Sequence, residues 1–122
     1  MNDLEKIYQS LSERIETTEE FPFGPQAAVY KVVGKMFAIL SPEDVPPQMN
    51  LKCDPDRAVM LRDEHEAVIP GYHMNKKHWN TLILDGSLPD SLVVGLIDHS
   101  YDLVVAGLKR ADKDRIQKQL ES

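Results

Sequence analysis

The sequence predicts an α+β fold in which a single antiparallel sheet is backed by helices. Three observations predict it: apolar residues at helical spacing near the start, short strand-like apolar runs between turn residues in the middle, and a long apolar helical stripe towards the end. The predicted order is α-β-β-β-α-β-β-α-α. At 122 residues, the chain is expected to form a single domain, residues 1–122.

The first element is an amphipathic helix followed by a break. Asn2 as N-cap with Glu5 three residues later is typical of a helix start. The helix is expected to fade near Thr17 and Thr18. Two prolines and a glycine then forbid helix over residues 20–25, where the phenylalanines are expected to plug the edge of the sheet. The helical stripe consists of Leu4, Ile7, Tyr8, Leu11 and Ile15.

Residues 27–33 and 36–40 are strand-like, and Gly34-Lys35 between them predicts a two-residue hairpin turn. In that register Val33 pairs with Met36, Lys31 with Ala38, and Tyr30 with Ile39. Side chains alternate between the faces of a strand, so one face is wholly apolar and should pack against the helices. That face consists of Tyr30, Val32, Phe37 and Ile39, and the more open face of Val29, Lys31, Val33, Met36, Ala38 and Leu40.

A third strand is predicted where Met49, Leu51 and Cys53 alternate with polar residues, with these three facing the core. Asp54 as N-cap and Pro55 in the first turn predict a short helix that ends near residue 63 or 64. Its buried residues are expected to be Ala58, Val59, and Leu61 or the stem of Arg62. Brief strands are expected at residues 67–69 and 80–84.

Ser87 and Asp90 have the spacing of a capping box and predict the start of a long helix. Gly107 is a candidate for its end. A weaker polar helix is expected over residues 112–120, with Ile116 and Leu120 as its contacts. The buried face of the long helix consists of Leu92, Val93, Leu96, Ile97, Tyr101, Val104, Val105 and Leu108.

The charge of the chain is unevenly distributed. The net charge is −6 and the pI is near 5.1, whereas nucleic-acid-binding domains usually have a pI above about 9. Residues 21–84 are neutral, with seven acidic and seven basic residues, so any anion-binding surface should lie in this middle part. The sequence shows no apolar run long enough for a membrane span, no secretion signal, and a single cysteine, Cys53. These features favour a cytoplasmic protein without a membrane partner.

The most informative stretch is residues 71–86, which joins a polar, basic and aromatic run to a strand-like run. It is typical of a binding surface, because no nucleophile–base set accompanies it. His73 and His78 are five residues apart, which does not fit a zinc site, and we expect them to bond the loop backbone. Trp79 is expected in the core, with base stacking as the alternative. Two interpretations of Asn75 and Lys76-Lys77 remain open: contacts to nucleic acid, or loop capping and solvation.

Catalysis is not predicted. The densest acid–base string is residues 63–66, but consecutive residues at a helix end do not share a face. The sequence contains no phosphate-binding glycine motif and no nucleophile elbow. We therefore expect a protein that is not an enzyme and carries no cofactor and no metal.

Several segments together resemble the MmcQ/YjbR family: PFGP, KVVGKMFAIL, LKCDP, HMNKKHWNTLILDGSLPD and SYDLVVAGL, which lie between about residues 20 and 108. The resemblance implies a small α+β domain of the YjbR-like, secretion-chaperone-like or frataxin-like type. Members are described as candidate DNA-binding proteins with a double-wing arrangement, in which β-hairpin loops grip the duplex. The family's characteristic run falls here on His73, Asn75, Lys76, His78 and Trp79, and its sheet lysines on Lys35 and Lys52.

The leading hypothesis is a monomer that binds DNA weakly through phosphate contacts from these wing loops. Lys31 and Lys52 should project from the open sheet face beside Asn50, and Lys35 should lie at the hairpin tip; alternatively, these lysines only protect the sheet from aggregation. A protein-interaction or chaperone-like module is the main alternative, with the open face of Val29, Val33 and Met36 as its surface. A third idea, metal carriage by analogy with frataxin-like folds, would need an acidic ridge of Asp3, Glu5, Glu13 and Glu16. The candidate DNA-binding residues are Lys31, Lys35, Lys52, His73, Asn75, Lys76, Lys77 and His78.

Overall fold

The computed structural model describes residues 3–71 and 74–121. Their four helices and six strands form one antiparallel sheet with helices, which confirms the α+β class. The strands are ordered β1-β2-β3-β4-β6-β5 across the sheet. The elements in chain order are α1 (Leu4–Ser12), β1 (Thr17–Glu20), β2 (Ala28–Val32), β3 (Lys35–Ser41), β4 (Gln48–Lys52), α2 (Pro55–Glu64), β5 (Val68–Pro70), β6 (Trp79–Ile83), α3 (Asp90–Ala106) and α4 (Arg110–Leu120).

The structure contains one strand more than the predicted order. Helix α1 ends at Ser12, and residues Thr17–Glu20 form β1, which pairs with β2 at the edge of the sheet. Glu16 has a φ of 57°, so the chain reverses directly before the strand, and the β-branched threonines suit extended backbone. The expectation that the helix fades only at residues 17–18 was therefore wrong.

Two further expectations for this region need correction. The N-cap of α1 is Asp3, whose carboxylate accepts hydrogen bonds from the N–H groups of Glu5 and Lys6 at 3.0 and 3.4 Å. The expected cap, Asn2, lies outside the described residues. Phe21 and Phe23 do not plug the sheet edge, because they are 50% and 66% exposed.

The β2–β3 hairpin has a different register from the predicted one. Its turn residues are Val33 and Gly34, with φ angles of 49° and 74°, and Val32 pairs with Lys35. Phe37 is an extra residue in β3, since Lys31 pairs with Met36 and Tyr30 with Ala38. This bulge changes the composition of both faces, as a one-residue slip must. The face expected to be open contained Ala38 and Leu40, and both are fully buried.

All helices contribute buried side chains to one core cluster on a single face of the sheet. Residues directly opposite each other share a face in an antiparallel sheet, so the register defines this buried face across five strands. It contains Ala28, Tyr30, Ala38, Leu40, Met49, Leu51, Leu82 and Val68. The opposite face contains Lys31, Ile39, Asn50, Lys52 and Trp79, which are partly exposed.

The remaining helices mostly follow their sequence signals. Asp54 caps α2 through its side chain and Pro55 begins the helix, as predicted. Val59, however, is exposed, while Ala58 and Leu61 are buried. The predicted capping box of α3 is wrong: Ser87 donates from its N–H and its hydroxyl to Asp85 at 2.9 and 2.6 Å, and the N-cap is Pro89.

Helix α3 ends at the C-cap residue Gly107, as the sequence indicated. In α4 Ile116 is buried, whereas Leu120, expected as a second contact, is exposed. No helix in the described part of the chain combines the length and apolar character that a bilayer span requires.

Candidate nucleic-acid interface

Basic residues collect at one end of the sheet. Neighbouring strands are antiparallel, so the end of β2, the start of β3, the end of β4 and the start of β6 all lie at the same end. Lys35 begins β3 and Lys52 ends β4, next to each other in the strand order. Lys76 and Lys77 lie in the connection that leads into β6. We call Lys35, Lys52, Arg57, Arg62, Lys76 and Lys77 the basic rim.

The first hairpin loop at this end presents Lys35. Positive φ at both turn residues is the geometry of a two-residue hairpin turn, and it suits Gly34. Val33 adopts it although the left-handed region is unfavourable for a β-branched residue, and it packs against the core. The turn is thus held by tertiary packing, and the exposed Lys35 follows it directly.

Lys31 does not belong to the basic rim. Its ammonium group lies 3.3 Å from a carboxylate oxygen of Glu20, on the neighbouring strand β1. This ion pair offsets the charge of Lys31 on the partly exposed face. By contrast, Lys35, Lys52 and Lys77 do not take part in any ion pair among residues 3–71 and 74–121.

A buried serine on α3 bridges β3 and β4, the strands that carry Lys35 and Lys52. The hydroxyl of Ser100 accepts a hydrogen bond from the Lys52 N–H at 2.9 Å and donates one to the Phe37 carbonyl at 2.6 Å. Ala38 and Leu51 form the last pair of the β3–β4 ladder at this end, and the two bonded backbone groups lie one residue beyond that pair. The serine therefore replaces the next direct bond between β3 and β4.

A shallow depression of about 290 Å³ lies at the rim. Lys35, Met36 and Lys52 line it together with Leu103, Val104 and Gly107 from the end of α3. The two lysines that the resemblance singled out in the sheet therefore border the same concavity. No feature of the sequence identified Ser100 as the residue that bridges β3 and β4, because a serine inside an apolar helical stripe gives no signal of its hydrogen-bond partners.

The second hairpin loop, residues 71–78 between β5 and β6, has an ordered turn in its described part. Asn75 accepts hydrogen bonds through its carbonyl from the N–H groups of His78 and Trp79, at 3.1 and 2.9 Å. Its side-chain oxygen accepts one from the Lys77 N–H at 3.0 Å. Asn75 therefore has a capping role, and the turn it stabilises presents Lys76 and Lys77, both exposed.

Contacts to neighbouring elements fix this loop. The Cys53 N–H donates to the His78 carbonyl at 2.8 Å, and the Arg62 guanidinium donates to the Lys76 carbonyl at 3.1 Å. Gly71 is required by close packing, because a Cβ there would lie 3.0 Å from the Trp79 Cβ and 3.1 Å from the Trp79 carbonyl oxygen. Tyr72 and His73, the latter a candidate site residue, lie outside the described residues.

Two arginines of α2 join the rim and were missed by the sequence analysis. Arg62 bonds the second loop as described, and Arg57 lies in the first turn of α2, directly after β4. Both act electrostatically on the thiol of Cys53, which places them at this end of the sheet. Burial is the largest influence on Cys53 and raises its pKa, so the thiol is protonated and inert.

His99 on α3 is another residue that the sequence did not single out. Its Nε2 accepts a hydrogen bond from the Asp54 N–H at 3.1 Å, so the helix α3 supports the start of α2. Burial lowers the pKa of His99, and the Arg57 charge lowers it further, against opposing effects of Asp54 and Asp102. The imidazole is therefore held neutral, as the accepted hydrogen bond requires.

Trp79 was expected in the core, but its side chain is only partly buried. Trp79 is partly exposed and lies opposite Lys52 in the register, on the face away from the helices. His78 is partly exposed as well, and its carbonyl is used by Cys53. Among the described residues, no group of three or more His, Cys, Asp or Glu side chains is placed to hold a metal ion.

Comparisons with known proteins agree with the fold. The model of the YjbR family matches residues 13–103. The uncharacterised protein YbdF of Escherichia coli O157:H7 is 38% identical over 97 residues, which are 80% of each chain. The uncharacterised protein YjbR of E. coli strain K12 is 42% identical over 80 residues, which are 66% of this chain and 68% of that protein.

Solved structures show the same similarity. The Deinococcus radiodurans DUF419-domain protein DR2400 superposes with a TM-score of 0.87 at 35% identity, over 96% of this chain and 89% of that one. A Pseudomonas syringae protein gives a TM-score of 0.71 at 28% identity, over 84% of this chain and 98% of that one. The family model covers most of the chain, and these structures share its fold, so the protein belongs to the YjbR family.

Proposed function

We propose that this protein binds DNA weakly and without catalysis, through phosphate contacts made by the basic rim. The observation that carries the proposal is the convergence of Lys35, Lys52, Lys76 and Lys77 at one end of three neighbouring strands. Lysines on flexible stems are suited to phosphate oxygens, which position a protein on a duplex without selecting a sequence. Arg57 and Arg62 extend the same positive surface.

The two hairpin loops at this end have a spacing that suits a duplex. The β2–β3 hairpin and the β6–β5 hairpin are separated by β4, so their centres lie three strand spacings apart. At about 4.8 Å per spacing this is about 14 Å. The major groove of B-DNA is about 12 Å wide, so the two loops can reach the backbones on both sides of it.

Weak binding follows from the remaining charges. The carboxylates of Asp54 and Asp56 lie at the start of α2, at the same end as the rim, and the whole chain has a charge of −6. Repulsion between the acidic surfaces and the duplex opposes the local attraction, and salt screens both beyond about 10 Å. On this proposal the protein acts in the cytoplasm and uses no cofactor.

The open sheet face gives less support to a protein-interaction module. Val29, one of its three proposed apolar contacts, is only 1% exposed, and Val33 and Met36 are half-buried. An exposed apolar patch of the size found at protein interfaces therefore does not include Val29. We keep DNA binding as the proposed function.

Fluorescence anisotropy with a labelled duplex, measured over a range of salt concentrations, tests the proposal. Phosphate contacts lower log K by about 0.9 per contact for each unit of log salt, so four lysine contacts predict a slope of about −3.6. Between 50 and 200 mM salt the affinity should then fall by about 150-fold. The double variants Lys35→Ala/Lys52→Ala and Lys76→Ala/Lys77→Ala should each make the slope shallower by about 1.8.

The matched control is Lys6→Ala/Lys118→Ala, which removes the same charge from α1 and α4 in the helical layer. It should leave the slope unchanged. The proposal is refuted if the wild-type protein does not bind the duplex at low salt, or if the control weakens binding as much as the rim variants do.

A further inference from the structure

The end of the sheet opposite the basic rim carries exposed apolar side chains. We call it the loop end; it consists of the connections 21–27, 42–47 and 84–89. Ala28, at the start of β2, lies opposite Leu40, near the end of β3. The connection 21–27, which leads into β2, and the connection 42–47, which follows β3, therefore join neighbouring strands at this end of the sheet. Val45 is 98% exposed, and Phe21 and Phe23 of the connection 21–27 are 50% and 66% exposed. Large exposed apolar side chains at one end of a sheet are typical of an interaction surface.

A depression of about 590 Å³ lies at the same end. Leu4, Val45 and the three prolines of residues 42–47 provide its apolar lining. The volume lies within the range of about 300–1,000 Å³ found for ligand sites.

The charged residues of this depression are all acidic: Glu43, Asp44 and Asp85. Hydrogen bonds from Ser87 lower the pKa of Asp85, so its carboxylate is ionised. Glu43 and Asp44 do not occur in any ion pair within the described part of the chain. The loop end therefore combines an apolar lining with exclusively acidic charged side chains.

This combination selects the class of partner. Nucleic acids and anionic membrane surfaces carry the same sign of charge as Glu43 and Asp44 and are repelled. A cationic protein segment is attracted, and its apolar side chains can enter the depression while its Lys or Arg side chains meet the carboxylates. We propose that the loop end is a docking site for a segment of a partner protein in which basic residues flank one or two large apolar residues.

The site is independent of the proposed DNA contact. The basic rim and the loop end lie at opposite ends of the same strands, so both can be occupied at once. A partner bound at the loop end would thereby be held near DNA bound at the rim. Variants of either end should leave binding at the other unchanged.

NMR titration with synthetic peptides tests the docking site. The probe is a short peptide of alternating Arg and Leu or Trp residues; a first reference peptide has Glu in place of Arg, and a second has Ser in place of the apolar residues. The probe should shift the amide signals of Glu43, Asp44 and Val45 and of Phe21 and Phe23 at low salt. Both reference peptides should leave these signals in place.

Protein variants complete the test. Glu43→Gln/Asp44→Asn should weaken binding of the probe about tenfold, because two charge contacts of about 0.7 kcal/mol each are lost. Val45→Ser should weaken it as well, since an apolar anchor is removed. The matched control Asp63→Asn/Asp102→Asn removes two exposed carboxylates from α2 and α3 and should bind the probe as the wild type does.

Three outcomes would overturn the proposal. The first is a probe that shifts signals elsewhere on the protein, and the second is equal binding by the Glu43→Gln/Asp44→Asn variant and the control. The third is a concentration-dependent shift of the loop-end signals in the protein alone, which would show that a second copy of the chain occupies this surface.

Discussion

The hydroxyl of Ser100 is the contact whose removal should reveal most about the rim. In Ser100→Ala the Lys52 N–H and the Phe37 carbonyl each lose their hydrogen-bond partner at a buried site. An unsatisfied buried group costs about 1–3 kcal/mol, whereas alanine in a helix recovers about 0.5 kcal/mol relative to serine. With two such groups, the free energy of unfolding should therefore fall by about 1.5–5.5 kcal/mol, out of a total of about 5–15 kcal/mol for a domain of this size.

Urea denaturation followed by circular dichroism measures this loss. The control is Ser91→Ala, an exposed position in the first turn of the same helix, where the change should stay within about 0.5 kcal/mol. Ser100→Cys retains a similar shape with a weak hydrogen-bonding group and should give an intermediate stability. If Ser100→Ala loses no more than Ser91→Ala does, the serine does not stabilise the protein by bridging the two strands, and the reasoning is wrong.

Two further predictions concern the elements around the rim. The folded-state pKa of His99 lies below its unfolded value of about 6.5. The stability that the neutral His99 contributes to the folded protein is therefore complete above about pH 6.5 and is lost as the pH falls towards the folded-state pKa. Between about pH 7.5 and about pH 5.5, urea midpoints should fall further for the wild type than for His99→Gln, which accepts the same hydrogen bond without titrating; equal falls would contradict this. Gly71→Ala should cost about 1–3 kcal/mol through overpacking and should shift the fluorescence of Trp79, while an unchanged emission spectrum and midpoint would show that the loop adjusts without strain.

The charge distribution explains how an acidic protein can have a basic interface. Counting along the chain indicated only that residues 21–84 are neutral. In the folded protein, the lysines of the basic rim lie at one end of the sheet and the acids Glu43 and Asp44 at the other, while Asp54 and Asp56 stay near the rim. A segment that is neutral along the chain thus becomes partly polarised in space, because antiparallel strands return every second connection to the same end.

The register of the β2–β3 hairpin shows why local rules were insufficient. Gly34-Lys35 was the locally favoured turn, because it avoids positive φ at a β-branched residue. The structure places that unfavourable angle at Val33 and admits Phe37 as an extra residue, whose ring meets Tyr101 edge to face at 5.4 Å between centroids. Because of the extra residue, Phe37, Ala38 and Leu40 are all buried, which strict alternation along the strand does not allow, and no short-range pattern contains that information.

Local signals in the sequence by themselves determined most of the helices and strands, including the cap of α2 by Asp54 and the end of α3 at Gly107. These features depend on backbone geometry and side-chain spacing within a few residues. Only the tertiary structure decided that Lys31 is paired with Glu20, that Arg57 and Arg62 join the lysines, and that Ser100 bridges β3 and β4. Each of these depends on contacts between residues distant in sequence, and packing of the whole core, rather than any local preference, brings such residues together.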